Sequence, residues 1–235
     1  MNTKVEDLER LHNLHVAGAI TEIEFKILKK EIIGELSAEI DDDVYKSVKI
    51  GEQEWMVENL NVEHFRNGDI IPEAKTKEEW VKAWKENRPA WCYYDNNPSN
   101  GEKYGKLYNW YAVSDPRGFP PEGWHVPTDA EWTNLTDYLS ADGHSGEEGT
   151  ALKAASGWEV YGYASGHGTD DYGWLGHSGG GRSGNGVFGS NGYWWSSSQS
   201  KTNDAWYRLL DCFNDNVDRY DGNKVSGFSV RCLKD

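Results

Sequence analysis

The chain is short of four things, and each shortage removes a class of answer. Three cysteines (Cys92, Cys212 and Cys232) among 235 residues leave at least one unpaired and form no C-x-x-C, which argues against a disulfide framework and a zinc ribbon. No apolar run approaches the roughly 20 residues of a membrane helix. The start MNTKVEDLERLHNL also has neither the apolar core nor the small-residue cleavage site of a secretory signal. The expectation is a product made in the cytoplasm without membrane insertion, reaching a virion or cell surface only by another route. Positive charge is scarce too: 24 Lys+Arg against 39 Asp+Glu give a formal net charge of −15. With no basic stripe to follow a phosphate backbone, nucleic acid is not an expected partner. Methionine is nearly absent, with two residues, so other side chains must fill the core.

Large flat side chains fill it instead. Twelve Trp, thirteen Tyr and 26 Gly suit a loop-rich fold with aromatic packing and tight turns. Every Trp lies at or after Trp55, so the two ends of the chain are built differently. Residues 1–36 carry Leu8, Leu11, Leu14, Phe25, Leu28, Ile32 and Ile33 at helical spacing. Gly18 is placed to close a first helix, and Thr21 with Glu24 makes a capping box for a second. The apolar stripe of this helical hairpin is too small to be buried by two helices, which predicts a homo-oligomer contact or docking on the rest of the chain. Residues 37–43, with Glu39 and the run Asp41-Asp42-Asp43, read as an acidic linker.

Residues 44–235 change period. Val44 to Gly51 and Glu54 to Val57 alternate as a hairpin. Thr76 with Glu79 and Thr128 with Glu131 are start signals for two helices with aromatic inner faces. From Ala141 to Asn191 the chain is Gly-, Ser-, His- and Asp-rich, with one short helical turn expected near Thr150 to Ala155. Short strands return around Tyr193 to Ser197, Ala205 to Cys212 and Gly227 to Leu233.

Read in order, VYKSVKIGEQEWMVENLNV, YGKLYNWYAV, GWHVPTDAEWTNLTDYL, GYWWSSSQSKTNDAWYRLL and GFSVRCLKD resemble the Fibrobacter succinogenes major paralogous domain family from about Asp43 to Asp235. The resemblance implies an α+β chain with a C-type lectin-like fold, of the formylglycine-generating-enzyme-like branch. It extends to the variable proteins of diversity-generating retroelements, in which adenines near the gene's 3′ end are rewritten while the scaffold stays fixed. The N-terminal hairpin, LERLHNLHVAGAITEIEFKILKKEII, resembles the SHOCT module. Family members often carry a Cys at the position of Pro120, so the resemblance leaves Cys232 without its usual partner.

The segment at about 193–226 is then the candidate ligand-binding region. Strand alternation puts Trp206, Leu210 and Cys212 inward, with Val217 a further core contact. It leaves Tyr207, Leu209, Asp211, Phe213, Asp215, Asp218, Tyr220, Asp221 and Asn223 as a variable face for a protein or glycan ligand, because aromatic area mixed with directional polar groups is what binding faces use. An edge hairpin with solvated Asp residues is the plainer reading of the same residues. Trp194 and Trp195 must point to opposite faces, leaving one as core and the other as a floor for the site. Arg182, between glycines, resembles a clamp for backbone carbonyls. No metal is expected: His144, His167 and His177 lie in loops without ligand spacing, and Thr169-Asp170-Asp171-Tyr172 reads as a solvated turn, with calcium held by its carboxylates and carbonyls as the alternative. No cofactor and no catalytic set are expected either, since Cys212 and Cys232 lack the close spacing of a thiol oxidase and no G-x-S-x-G occurs. A non-diversified structural or adhesion domain is the first alternative, and a formylglycine-type oxidase the second.

Overall fold

The computed structural model describes residues 2–21, 24, 25, 28, 45–161, 164–184, 186 and 188–235. These divide into two compact units, Met1–Lys46 and Ser47–Asp235. In the first, helix α1 spans Asn2–Val16 and Gly18 follows it at φ +69°, the left-handed conformation that closes a helix. Thr21 and Glu24 exchange capping hydrogen bonds, and Phe25 stacks on His15 with ring centroids 4.7 Å apart. Most of the expected second helix, and the whole 37–43 linker, lie outside the described residues.

The second unit is α+β, with antiparallel strand pairing throughout its named sheets. Strands β1 (Ser47–Ile50) and β2 (Gln53–Met56) form the expected hairpin. The C-terminal β12 (Leu233–Lys234) pairs with β2 and with β5 (Trp124–His125), so the end of the unit is laced to its beginning. Helices α2 (Lys77–Lys85) and α5 (Asp129–Leu139) each open on a complete capping box, Thr76 with Glu79 and Thr128 with Glu131. Between them come β3 (Trp91–Cys92), the short helix α3 (Gly101–Tyr104), β4 (Leu107–Asn109) and the short helix α4 (Trp110–Val113). The short helix expected near Thr150 is α6, at Glu148–Leu152, and a small ladder, β6 (Val160–Tyr161) with β7 (Ala164–Ser165), follows it.

Strands β8 (Gly192–Lys201), β9 (Asp204–Leu210) and β10 (Val217–Asn223) form a three-stranded sheet in the order β10-β9-β8. Finally β11 (Gly227–Phe228) pairs with β4. The core joins β1, β2, α5, α6 and β8 through Trp55, Trp132, Trp158, Trp174 and Trp194. Buried Arg231 lies over the Trp174 ring and donates to the Asn59 side chain and to the Met56 and Trp174 carbonyls. The RC of the GFSVRC motif is therefore core: Cys232 is fully buried next to it, and burial drives its thiol well above the ordinary range. No helix among the described residues is long and apolar enough to cross a membrane.

Candidate ligand-binding face

The β9–β10 ladder fixes what shares a face. Leu210 opposes Val217, Arg208 opposes Arg219 and Trp206 opposes Asp221, so these rungs form the back of the hairpin; Leu209 with Asp218 and Tyr207 with Tyr220 form the front. The back face is bound to α5. Arg208, 2% exposed, donates to the Asp129 carboxylate at 2.8 Å, to its carbonyl at 3.0 Å and to Thr133 Oγ1 at 3.1 Å. Arg219 reaches the same carboxylate at 2.8 Å. Burial pushes the Asp129 carboxyl up, but the hydrogen bonds from Arg219 and Arg208 outweigh it and hold the group below its usual range.

The turn between the strands is fixed from below. Lys153, 2% exposed, donates to the carbonyls of Asp211 and Asn214, one on each side of Phe213. The Asp215 carbonyl accepts the amides of Gly149 and Thr150 at the start of α6, and its carboxylate accepts from Thr150 Oγ1 at 2.8 Å. A Cβ on Gly149 would lie 2.2 Å from the Asn216 carbonyl oxygen, so glycine is what lets α6 approach the turn this closely. Asp211 closes the turn by accepting the Phe213 amide.

On the front, aromatic rings are layered by burial. Trp195 is fully buried and donates to the Tyr108 carbonyl, with Phe228 packed on it at 4.4 Å. Tyr193 stacks on Phe228 at 5.0 Å, and Tyr207 meets Phe228 at 4.8 Å. Tyr207 also meets Tyr193 at 6.0 Å and Tyr220 at 6.1 Å. Tyr220 is 50% exposed and Phe213, on the turn, 68%. Burial first, then the neighbouring Tyr193, Tyr220, Asp221 and Asp218, push the Tyr207 phenol up to about 12.

The sequence-derived set is thus split by the fold. Tyr207, Leu209, Asp218 and Tyr220 come together on the front, and Asp211, Phe213 and Asp215 sit on the turn beside it. Asp221 and Asn223 do not join them: Asp221 faces back and pairs with Lys201 at 2.7 Å, while Asn223 caps the Val225 amide of the following turn. Adjacent residues Tyr220 and Asp221 cannot occupy one face of a strand, which corrects that part of the alternation reading. Tyr207 is half-buried rather than freely outward. On the inward side Leu210 and Cys212 are buried and Val217 packs against the core. Trp206 is only half-buried, covered by the Arg219 guanidinium at 3.5 Å, and the buried polar member of that row is Arg208. Trp194 and Trp195 are both core, 1% and 0% exposed, so neither is an open platform.

Arg182 clamps carbonyls, donating to those of Ala74 and Thr76 and to Asn96 Oδ1. Within Thr169 to Tyr172, Asp170 is tied to the Leu175 amide and Asp171 accepts from Thr169. No cluster of His, Cys, Asp and Glu suited to a metal occurs among the described residues. Sequence reasoning covered Tyr193 only within the 193–226 segment, without naming it on the face, and missed Phe228 and Lys153. The pairing of Tyr193 with Leu209 was available from alternation once the register was known; Lys153 left no local signal.

Searches of curated proteins and of solved structures return no match. Against protein-family models, residues 48–234 match the Fibrobacter succinogenes major domain, a span that covers the second unit from β1 to β12. The chain therefore belongs to the Fibrobacter succinogenes major domain family.

Proposed function

We propose that the second unit is a ligand-binding domain of C-type lectin-like fold, which presents the front of β8, β9 and β10 and the 211–216 turn to a protein or glycan, as a variable protein of a diversity-generating retroelement does. The observation that carries this reading is the division of labour within one hairpin. Its back rungs are locked to α5 by Arg208, Arg219 and Asp129 and its turn is held by Lys153. The half-exposed or exposed Leu209, Phe213, Asp218 and Tyr220 point away from those supports. Side chains so placed can change without undoing the fold, which is the property a diversified surface needs. Burial raises the Cys92, Cys212 and Cys232 thiols above their ordinary range and keeps them protonated, which favours binding over a thiol-oxidase role.

Two measurements test this. The gene should lie near a reverse transcriptase and a second copy of its 3′ end that differs only at adenines; a neighbourhood without that pair leaves a non-diversified domain. A variant combining Leu209→Ser, Phe213→Ser, Asp218→Asn and Tyr220→Ser should fold cooperatively and bind differently in a screen of peptides and glycans. Loss of cooperative folding would mean that these residues are core, and the reading would be abandoned.

A further inference from the structure

The two faces of the β9–β10 hairpin differ in how their carboxylates are matched by cations. On the back, the Arg219 guanidinium lies 3.5 Å from the centre of the Trp206 ring and 2.8 Å from the Asp129 carboxylate. An arginine is thus held between an aromatic face and a carboxylate. The front presents the same two chemistries without a cation. The Tyr207 and Tyr220 rings lie 6.1 Å apart and inclined by 38°, with Tyr193 beside them and Asp218 two residues before Tyr220 on the same face. Asp218 accepts from the neutral Asn214 amide at 3.0 Å, and Asp211, at the end of β9, from the Phe213 amide and Asn191.

The nearby cations are engaged elsewhere. Lys201 pairs with Asp221 on the back, Lys224 donates to Gln199 and the Thr202 carbonyl, and Lys153 is buried on carbonyls beneath the turn. Among the described residues, no Lys or Arg forms an ion pair with Asp218 or Asp211.

We propose that this front face docks a basic protein segment, seating an arginine or lysine side chain against Tyr207 and Tyr220 with Asp218 as its counter-charge. The inference rests on the reading of this face as the ligand-binding surface and adds the partner's chemistry. Tyrosine rings attract a cation through their electron-rich faces, and a planar guanidinium can stack on one ring while its N–H groups meet a carboxylate. The overall charge of −15 steers the same class of partner toward the protein and repels acidic ones. A neutral glycan would leave the carboxylate charge unanswered.

The test pans a random dodecapeptide phage library against the immobilised full-length protein and measures the selected peptides by calorimetry. Enrichment of Arg and Lys is expected, with affinity falling about tenfold in Asp218→Asn and again in Tyr220→Ala. Glu122→Gln makes the same charge change at an exposed position between α4 and β5, and should leave affinity unchanged. Basic peptides that respond equally to Glu122→Gln and to Asp218→Asn would overturn the inference in favour of diffuse charge attraction. Selected peptides without basic residues, or a glycan-array hit, that still depend on Tyr220 would overturn the cationic partner and leave the ligand-binding face standing. If neither peptides nor glycans respond to Tyr220→Ala and Asp218→Asn, both readings fall.

Discussion

Substitutions at Tyr207 and Tyr220 should separate support from contact, because the two residues oppose each other on one rung yet differ in burial. Tyr207 touches the rings of Tyr193, Trp195, Tyr220 and Phe228. Truncating a fully buried aromatic residue costs about 3–5 kcal/mol; scaling for half-burial predicts about 2 kcal/mol for Tyr207→Ala. Tyr220→Ala, with half the residue already in solvent, should cost less than about 1 kcal/mol. Tyr207→Phe keeps the ring contacts and isolates the hydroxyl. Burial raises the folded phenol to about 12, whereas an unfolded tyrosine titrates near about 10. The folded state therefore keeps a proton that the unfolded state releases, so this contribution to stability is complete below pH ~10 and is lost as the pH rises toward ~12. Tyr207→Phe should be nearly neutral at pH 7 and should flatten the alkaline decline relative to the parent. Urea unfolding followed by tryptophan fluorescence, at neutral pH and through the alkaline range, measures all three variants. Equal losses for Tyr207→Ala and Tyr220→Ala, or an alkaline decline in Tyr207→Phe that superimposes on the parent's, would refute the layered arrangement.

Asp129→Asn should destabilise by about 2–4 kcal/mol, since it removes the counter-charge of buried Arg208. Because the folded carboxyl is held below its usual range, its contribution is present above the unfolded pKa and is lost on acidification. The gap between variant and parent in denaturant titrations should accordingly narrow as the pH falls through the acid range. Lys153→Met should speed amide exchange in residues 211–216 by about tenfold or more while β8 and β9 stay protected, because the turn loses the ammonium that holds its carbonyls; unchanged exchange there would show that the turn is held by Asp215 alone. The three cysteines are free and buried, so iodoacetamide should leave the native protein unmodified and add to all three after denaturation without reductant. A mass two hydrogens lower with one labelled cysteine would demonstrate a disulfide.

The parts of this fold that were legible in the sequence are those fixed by neighbours within a few residues. Thr76 with Glu79 and Thr128 with Glu131 announce their helices because a capping box is a contact over three positions. The β1–β2 hairpin follows from an equally local pattern. The front face was legible only to the depth of one strand. Parity sorted β9, but the register of β10 is set by a turn held by Lys153, some sixty positions earlier, and by α6. Asp221 and Asn223 do not belong with Tyr220, and that correction needs no knowledge of the turn: strict alternation from the inward Val217 already puts them on the other face. The double burial of Trp194 and Trp195 leaves no local signal, because both faces of β8 are covered by other parts of the chain. The groups that receive their indole N–H donors, Asn59 Oδ1 and the Tyr108 carbonyl, come from distant parts of the chain.

Layering on the front face has a consequence for which positions can vary. Phe228 and Trp195 form a floor that is almost closed to solvent, Tyr207 stands on it half-buried, and Tyr220 and Phe213 project furthest. Changing a projecting residue alters what a partner meets and little of what the protein rests on, whereas changing Tyr207 opens a gap above Phe228. A library randomised at positions 207, 209, 213, 218 and 220 and sorted only for folded, protease-resistant protein should retain Phe, Tyr or Trp at 207. The same sort should accept nearly any residue other than proline at 213 and 220, with intermediate tolerance at 209 and 218, which lie on the rung next to Tyr207. Sequencing the sorted pool decides the matter. Unrestricted variation at 207 would show that the floor is complete without it, and a strong preference for tyrosine at 220 would show that the outermost ring supports the sheet instead of facing a partner.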